Sequence, residues 1–293
     1  MGHWSQEDKT MKQTIKRWIR NLGFEVTRYP SPDASLAIHQ SPVHRDQNPS
    51  EEATQCADSP DRPSFPADFD ETSIAVIRSV QPYTMTSVER IFALIQAVEY
   101  VVRAGIPGDM VECGVWQGGS MMAVAQTLQR LGDTDRDLYL FDTYEGMPQP
   151  TEADVDYSGN SAAAEFEAMK KTADSSDWCY ASIEQVQQNL ASTGYPMARI
   201  NLIKGKVEDT IPVQAPEKIA ILRLDTDWYE STQHELIHLF PRLVEGGVLI
   251  IDDYGHWQGS RRATDEYLAE HKIPLLLNRV DYTARIAVKP FPS

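Results

Sequence analysis

Cysteine is scarce in this sequence, and so is positive charge. The three cysteines, Cys56, Cys113 and Cys179, are odd in number and widely spaced. That pattern argues against a disulfide framework or a zinc ribbon and fits a reducing, cytoplasmic compartment. Lys and Arg total 27 against 43 Asp and Glu, a net charge of −16. A nucleic-acid binder needs a basic surface to displace counterions, so a nucleic-acid partner is not expected. Long apolar runs are missing too: none approaches the roughly 18–20 residues of a membrane span. The opening MGHWSQEDKT lacks a signal-peptide core. Its Met-Gly start is a poor myristoylation signal, because Gln6 stands where Ser or Thr is wanted. What is present, 293 residues of which 41% are hydrophobic, suffices for one large core plus an arm.

Residues 1–28 end in a short basic segment, with Lys12, Lys16, Arg17 and Arg20 around Ile15, Trp18, Ile19 and Leu22 at helical spacing. It predicts an amphipathic helix that either touches a membrane surface or partner, or packs on its own protein. Residues 29–69 are rich in Pro, Ser, Asp and Gln and read as a linker or arm. The ordered domain is expected over 70–293. Its first strong helix is MTSVERIFALIQAVEYVVRAG, 85–105, with a Thr86–Glu89 capping box and an apolar stripe through Ile91, Leu94, Ile95, Val98, Val101 and Val102. Strands then alternate with helices: 109–115, 137–143, 200–205, 219–225 and the run into Asp252, with helices between. Two late strands, PLLLNRV and ARIAVK, suggest a closing antiparallel hairpin. This order predicts an α/β fold with a mostly parallel, doubly wound sheet. An acidic, turn-rich stretch at 145–180 interrupts it like a lid.

Four predicted strand ends carry acids or glycines, and ligands of such sheets bind at those ends. The first is VECGVWQGGS, with Glu112, Gly114, Gly118, Gly119 and Ser120. Its spacing is not the G-x-G-x-x-G of dinucleotide sites, and an acid in the loop repels a pyrophosphate but suits a cationic amino group. The glycines are expected to let a ligand approach the backbone. A tight strand–helix turn is the plainer alternative. The second is Asp142, in the position that commonly takes ribose hydroxyls. Together they indicate an adenosine-type ligand without phosphates.

The third and fourth ends are LRLDTDWYEST and LIIDDYGHW, with Asp225, Asp227, Asp252 and Asp253. Adjacent parallel strands would bring Asp225 near Asp252 and Asp253. Carboxylates crowded at one edge are costly unless a cation neutralises them, and all-oxygen ligation favours Mg²⁺ or Ca²⁺. Asp227 could instead be a helix N-cap. HELIH, 234–238, matches the H-E-x-x-H zinc signature. At about 100° per residue its histidines point away from the apolar side and lie far from the glycine loop, so it reads as a chance match.

In order along the chain, YTMTSVERIFALI, VECGVWQGGS, LFDTYEGMP, KGKVEDTIP, LRLDTDWYEST and LVEGGVLIIDDYGHWQGSRRATDEY resemble the macrocin O-methyltransferase family. The resemblance covers about 83–288. It implies a Rossmann-like class I methyltransferase fold, a seven-stranded mostly parallel sheet with a late antiparallel strand and helices on both faces. It implies S-adenosylmethionine as cofactor, with Glu112 to Ser120 on its methionine part, Asp142 on the ribose, and Glu208 and Asp209 on the adenine side. Tyr83, Thr84 and Met85 would close over it. Mg²⁺ would be held by Asp225, Asp252 and Asp253. Thr226 departs from the glycine often found there. The implied reaction methylates a sugar hydroxyl of a natural product or glycan, with Asp225 or His256 as base. Arg261 and Arg262 either contact substrate or face solvent. The resemblance also suggests a homo-oligomer. Two other readings stay open at this point: a nicotinamide-dependent oxidoreductase on the same fold, and a non-catalytic binding protein on a methyltransferase scaffold. The sequence does not name the acceptor sugar.

Overall fold

Asp70 starts the first helix. Its carboxylate accepts the backbone N–H groups of Thr72 and Ser73, both at 3.0 Å, and so caps α1 (Glu71–Val80). The computed structural model describes residues 65–172 and 175–291. The expected basic helix at 1–28, and the arm up to residue 64, lie outside these described residues. The last part of the expected arm is packed rather than loose. Phe69 stacks on Phe92, with centroids 3.9 Å apart, and Phe65 packs beside it. An aromatic pair in a polar stretch was the signal for an earlier start to the ordered domain.

Helix α2 (Val88–Arg103) buries the expected stripe from Ile91 to Val101. Its cap is Ser87, whose hydroxyl accepts Arg90 N at 3.2 Å, not the expected Thr86–Glu89 box. The reason is competition: Thr86 Oγ1 already accepts from the buried Arg223 side chain at 3.2 Å. Gly105, at φ +65°, then turns the chain out of the helix.

Seven strands follow: β1 (Asp109–Cys113), β2 (Leu138–Asp142), β3 (Ile200–Lys204), β4 (Ile219–Leu224), β5 (Leu243–Ile251), β6 (Asn278–Arg279) and β7 (Arg285–Val288). They lie in the order β3-β2-β1-β4-β5-β7-β6. The first five are parallel; β7 runs antiparallel to both β5 and β6. The order reverses between β1 and β4, and that switch point opens a crevice at the strands' carboxyl ends. The predicted strand PLLLNRV shrinks to β6, because β7 offers it only Arg285 and Ile286 as partners.

Strand alternation separates two cores. Met110, Leu138, Leu140, Ile221 and Ile250 face α1, α2 and α3 (Gly119–Leu131). Val111, Phe141, Leu222, Leu249 and Ile251 face α6 (Val207–Thr210), α7 (Tyr229–Leu239) and α8 (Gln258–Glu270). Two further helices, α4 (Ala163–Met169) and α5 (Ile183–Ala191), lie between β2 and β3. The described part of 145–180 has a small core of its own: Ala162, Phe166 and Trp178 pack with Trp228 and Trp257 from the main domain. Among the described residues no helix is long and apolar enough to cross a membrane.

Candidate active site

Main-chain bonds continue past the strand ends and bring four of them level. Gly114 N donates to Phe141 O at 2.9 Å, Asp225 N to Cys113 O at 2.8 Å, and Asp252 N to Leu224 O at 2.9 Å. The glycine loop, Asp142, Asp225 and the Asp252–Asp253 pair therefore share one edge of the sheet.

The glycines do something other than the sequence led us to expect. A Cβ on Gly114, at φ +81°, would lie 1.9 Å from Asp225 O. One on Gly119 would lie 2.5 Å from Tyr83 O and 2.7 Å from Thr84 Cβ. These two positions admit the chain's own backbone, not open space. Gly114 lets β1 and β4 close together at the site. Gly119 lets the segment at Tyr83 and Thr84 lie against the first turn of α3. Gly118, at φ +88°, turns the loop into that helix, and Ser120 is buried behind it.

Asp142 braces this loop. Its Oδ2 accepts Val115 N at 2.6 Å and Trp116 N at 3.2 Å, and its Oδ1 accepts Tyr144 N at 2.7 Å. Burial nevertheless pushes its pKa up against these donors. Glu208 and Asp209 sit exposed on α6, in the loop region that follows β3.

Two arginines that sequence reasoning missed organise the acids. Arg223, buried in β4, puts Nη1 2.6 Å from Glu112 Oε1 and 2.8 Å from Asp225 Oδ2, and Nη2 2.7 Å from Asp252 Oδ1. Arg90 from α2 binds the other oxygen of Asp252 through Nη1, and its Nε lies 3.0 Å from Asp281 without hydrogen-bond alignment. Arg223 had a signal: a guanidinium inside IAILRLD, an otherwise apolar strand, must find buried partners. Arg90 sits among polar positions of its helix and gave none.

Glu112, Asp225, Asp227, Asp252 and Asp253 outnumber these two guanidiniums, and their titration reflects it. Burial raises Glu112 to about 7 in spite of Arg223. Burial, then Asp225, raises Asp227 to about 8. Asp225 and Asp253 are also pushed up, first by burial and then by their acidic neighbours. Asp252 alone is held low: burial works against it, but Arg223 and Arg90 prevail. Glu112 Oε2 is buried with no hydrogen-bond partner among the described residues.

Carboxylate oxygens of Asp225, Asp252 and Asp253 lie within 4.8 Å of one another, the one such group of metal-capable side chains among the described residues. That spread matches oxygens across a single hard cation, about 4–5 Å. The residues therefore fit a divalent ion with oxygen ligation. Asp227 is not the helix cap: Trp228 holds that position without a side-chain bond, and Asp154 of the 145–180 segment accepts Tyr229 N at 2.8 Å instead. Asp227 adopts φ +67° and lies against the Asp253 carboxyl and the Trp257 indole.

His256 follows one turn on. Its N–H donates to Asp253 O at 3.0 Å, its Nδ1 is 3.4 Å from Tyr282 Oη, and burial lowers its pKa. Arg261 and Arg262 are exposed and pair along α8 with Asp265 and Glu266, so they take the solvent-facing alternative. HELIH assembles no metal site. Glu235 is buried and accepts Thr226 Oγ1 at 2.9 Å, while His234 Nε2 meets Ile211 O at 3.0 Å.

Known proteins share this arrangement of chain. A family model described as Macrocin-O-methyltransferase (TylF) matches residues 45–288. The 8-demethyl-8-(2,3-dimethoxy-alpha-L-rhamnosyl)-tetracenomycin-C 4'-O-methyltransferase of Streptomyces olivaceus is 34% identical over 201 residues, spanning 69% of this chain and 73% of that one. The mycinamicin III 3''-O-methyltransferase of Micromonospora griseorubida is 32% identical over 192 residues, spanning 65% and 72%. Among solved structures, the O-methyltransferase NovP superimposes with a TM-score of 0.64 at 29% identity, covering 71% of this chain and 83% of NovP.

Proposed function

This chain belongs to the macrocin O-methyltransferase family, and on that premise we propose that it moves a methyl group from S-adenosylmethionine to a sugar hydroxyl of a glycosylated natural product or glycan. Membership makes it an O-methyltransferase, and its sheet is that of the class I fold. The observation that carries the cofactor reading is Glu112. A buried carboxylate oxygen without a donor, at the glycine loop, calls for a cationic donor such as the amino group of the cofactor's methionine end. It would repel the pyrophosphate of a nicotinamide dinucleotide. The sugar acceptor rests on the Streptomyces olivaceus relative, whose name carries a rhamnosyl group on its acceptor.

In this reading the main-chain N–H and C=O groups of the loop from Gly114 through Gly118 and Gly119 to Ser120 line the methionine end, and Tyr83, Thr84 and Met85 cover it. Asp142 offers its remaining lone pairs to the ribose while it braces the loop. Glu208 and Asp209 stand on the adenine side. Asp225, Asp252 and Asp253 hold Mg²⁺.

S-adenosylmethionine, when bound, would supply an electrophilic methyl whose bonding pair stays on the departing sulfur as the acceptor oxygen takes the carbon. Bound Mg²⁺ supplies a Lewis acid that makes a sugar hydroxyl easier to deprotonate. The protein's own task is to aim the hydroxyl and take its proton. Asp225 is suited to it by position: Arg223 fixes one oxygen at 2.8 Å at the edge of the acid cluster. His256 is the second candidate, kept neutral by burial and so able to accept. Comparing Asp225→Asn with His256→Ala separates them, since removing the base lowers kcat far more than KM. Calorimetric titration tests the whole reading: S-adenosylmethionine binds and NAD does not. Binding of NAD alone would overturn it.

A further inference from the structure

Three aromatic rings from three separate segments meet beside the acid cluster. Tyr157 tops the turn between Val155 and Ser161, His256 lies in the turn after Asp253, and Tyr282 lies between β6 and β7. Ring centroids are 5.6 Å apart for Tyr157 and His256, 6.4 Å for Tyr157 and Tyr282, and 6.0 Å for His256 and Tyr282.

Main-chain bonds tie the three segments together. Asp156 pairs with Trp257, and Gln258 N donates to Val155 O at 2.9 Å. Gly255 N donates to Thr283 O at 2.7 Å, and a Cβ on Gly255 would stand 1.9 Å from Tyr282 O. Asp156 also accepts Ser158 N at 2.7 Å and Asn160 N at 2.9 Å, which fixes the turn under Tyr157. Yet Tyr157 is 56% exposed. A large ring held outward on a braced turn stabilises no core. On its inner side the group adjoins the ions, since His256 N–H binds Asp253 O and Arg90 links Asp252 to Asp281.

We propose that the exposed face of Tyr157, flanked by Tyr282 nearly perpendicular to it at 75° and by His256 tilted at 59°, forms a stacking platform for the C–H face of a neutral pyranose ring whose hydroxyls turn toward Asp225, Asp252 and Asp253. The proposal rests on the sugar O-methyltransferase reading above. A pyranose has hydroxyls around its rim and polarised C–H bonds on its face. Aromatic rings carry negative charge on their faces and attract such C–H bonds. One pyranose can thus lie face-on against Tyr157, with Tyr282 and His256 walling its edge, while its rim meets the acids. A deoxyhexose, with more C–H surface, fits better than a uronic acid, whose carboxylate would enter a field of buried acids.

Two measurements on the full chain test this. Saturation-transfer NMR with methyl α-L-rhamnopyranoside should show contact at the ring C–H protons in the wild type and lose it in Tyr157→Ala. In methyl-transfer assays with a rhamnoside acceptor, Tyr157→Ala should raise KM about tenfold, the scale of one lost stacking contact, and raise it more than it lowers kcat. Tyr157→Phe, which keeps the ring, should behave as wild type. Wild-type KM in Tyr157→Ala, with S-adenosylmethionine binding and transfer intact, overturns the platform alone. A wild type that does not bind S-adenosylmethionine overturns the O-methyltransferase reading and the platform with it.

Discussion

Arg223 and Glu112 face each other from paired positions of β4 and β1, with Nη1 2.6 Å from Oε1 and both side chains buried. The same guanidinium reaches Asp225 and Asp252. One residue thus joins the proposed cofactor site to the proposed metal site.

Removing that residue should be severe. Arg223→Met would leave Glu112, Asp225 and Asp252 buried with less compensation, which costs about 3–5 kcal/mol when a buried pair is broken. Thermal or urea unfolding should show that loss. Arg223→Lys should recover only part of it, because an ammonium cannot reproduce the forked contact to three carboxylates. A Lys variant as stable as wild type would contradict this account.

Glu235 holds the Asp225–Asp227 loop from beneath. Its Oε1 accepts Thr226 Oγ1 at 2.9 Å, and burial raises its pKa, so the pair is a buried hydrogen bond rather than an exposed ion. Glu235→Ala should cost about 1–3 kcal/mol by leaving the Thr226 hydroxyl unpaired and should lower kcat through loss of aim at Asp225. Glu235→Gln, which keeps an acceptor, should retain most activity. Equal kcat in all three proteins would refute the positioning role.

The cap at Asp70 gives a prediction about pH. Ser73 and Thr72, by hydroxyl and backbone N–H bonds, hold its pKa below the ordinary carboxylate value. A depressed folded pKa means the stabilisation is present above the unfolded value of about 3.9 and disappears as pH falls through the folded one. Asp70→Ala should therefore cost about 1 kcal/mol at pH 7, and the gap to wild type should shrink as the solution is made more acidic. A gap that grows on acidification would contradict the cap.

Much of this was legible in the chain, and the misses share a cause. Alternating apolar strands and amphipathic helices announce themselves locally, so the order of β1 to β5 and the stripe of α2 could be read directly. Asp225, Asp252 and Asp253 were legible because each ends a strand, and parallel pairing forces such ends together. What failed to show was any partner that only the fold supplies. Thr86 resembled a cap until Arg223, 137 positions away, took its hydroxyl. Gly114 and Gly119 looked like openings for a ligand, yet each is met by backbone from a distant segment. In the 145–180 stretch, Trp178 gave no hint that Trp228 and Trp257 would pack around it.

The most direct test is methyl transfer from S-adenosylmethionine to a rhamnose-type glycoside, followed by mass spectrometry with and without EDTA. The account predicts a product heavier by one methyl group, its loss in chelator, its return with added Mg²⁺, and no comparable return in Asp252→Ala. Full activity in chelator together with an active Asp252→Ala would contradict it.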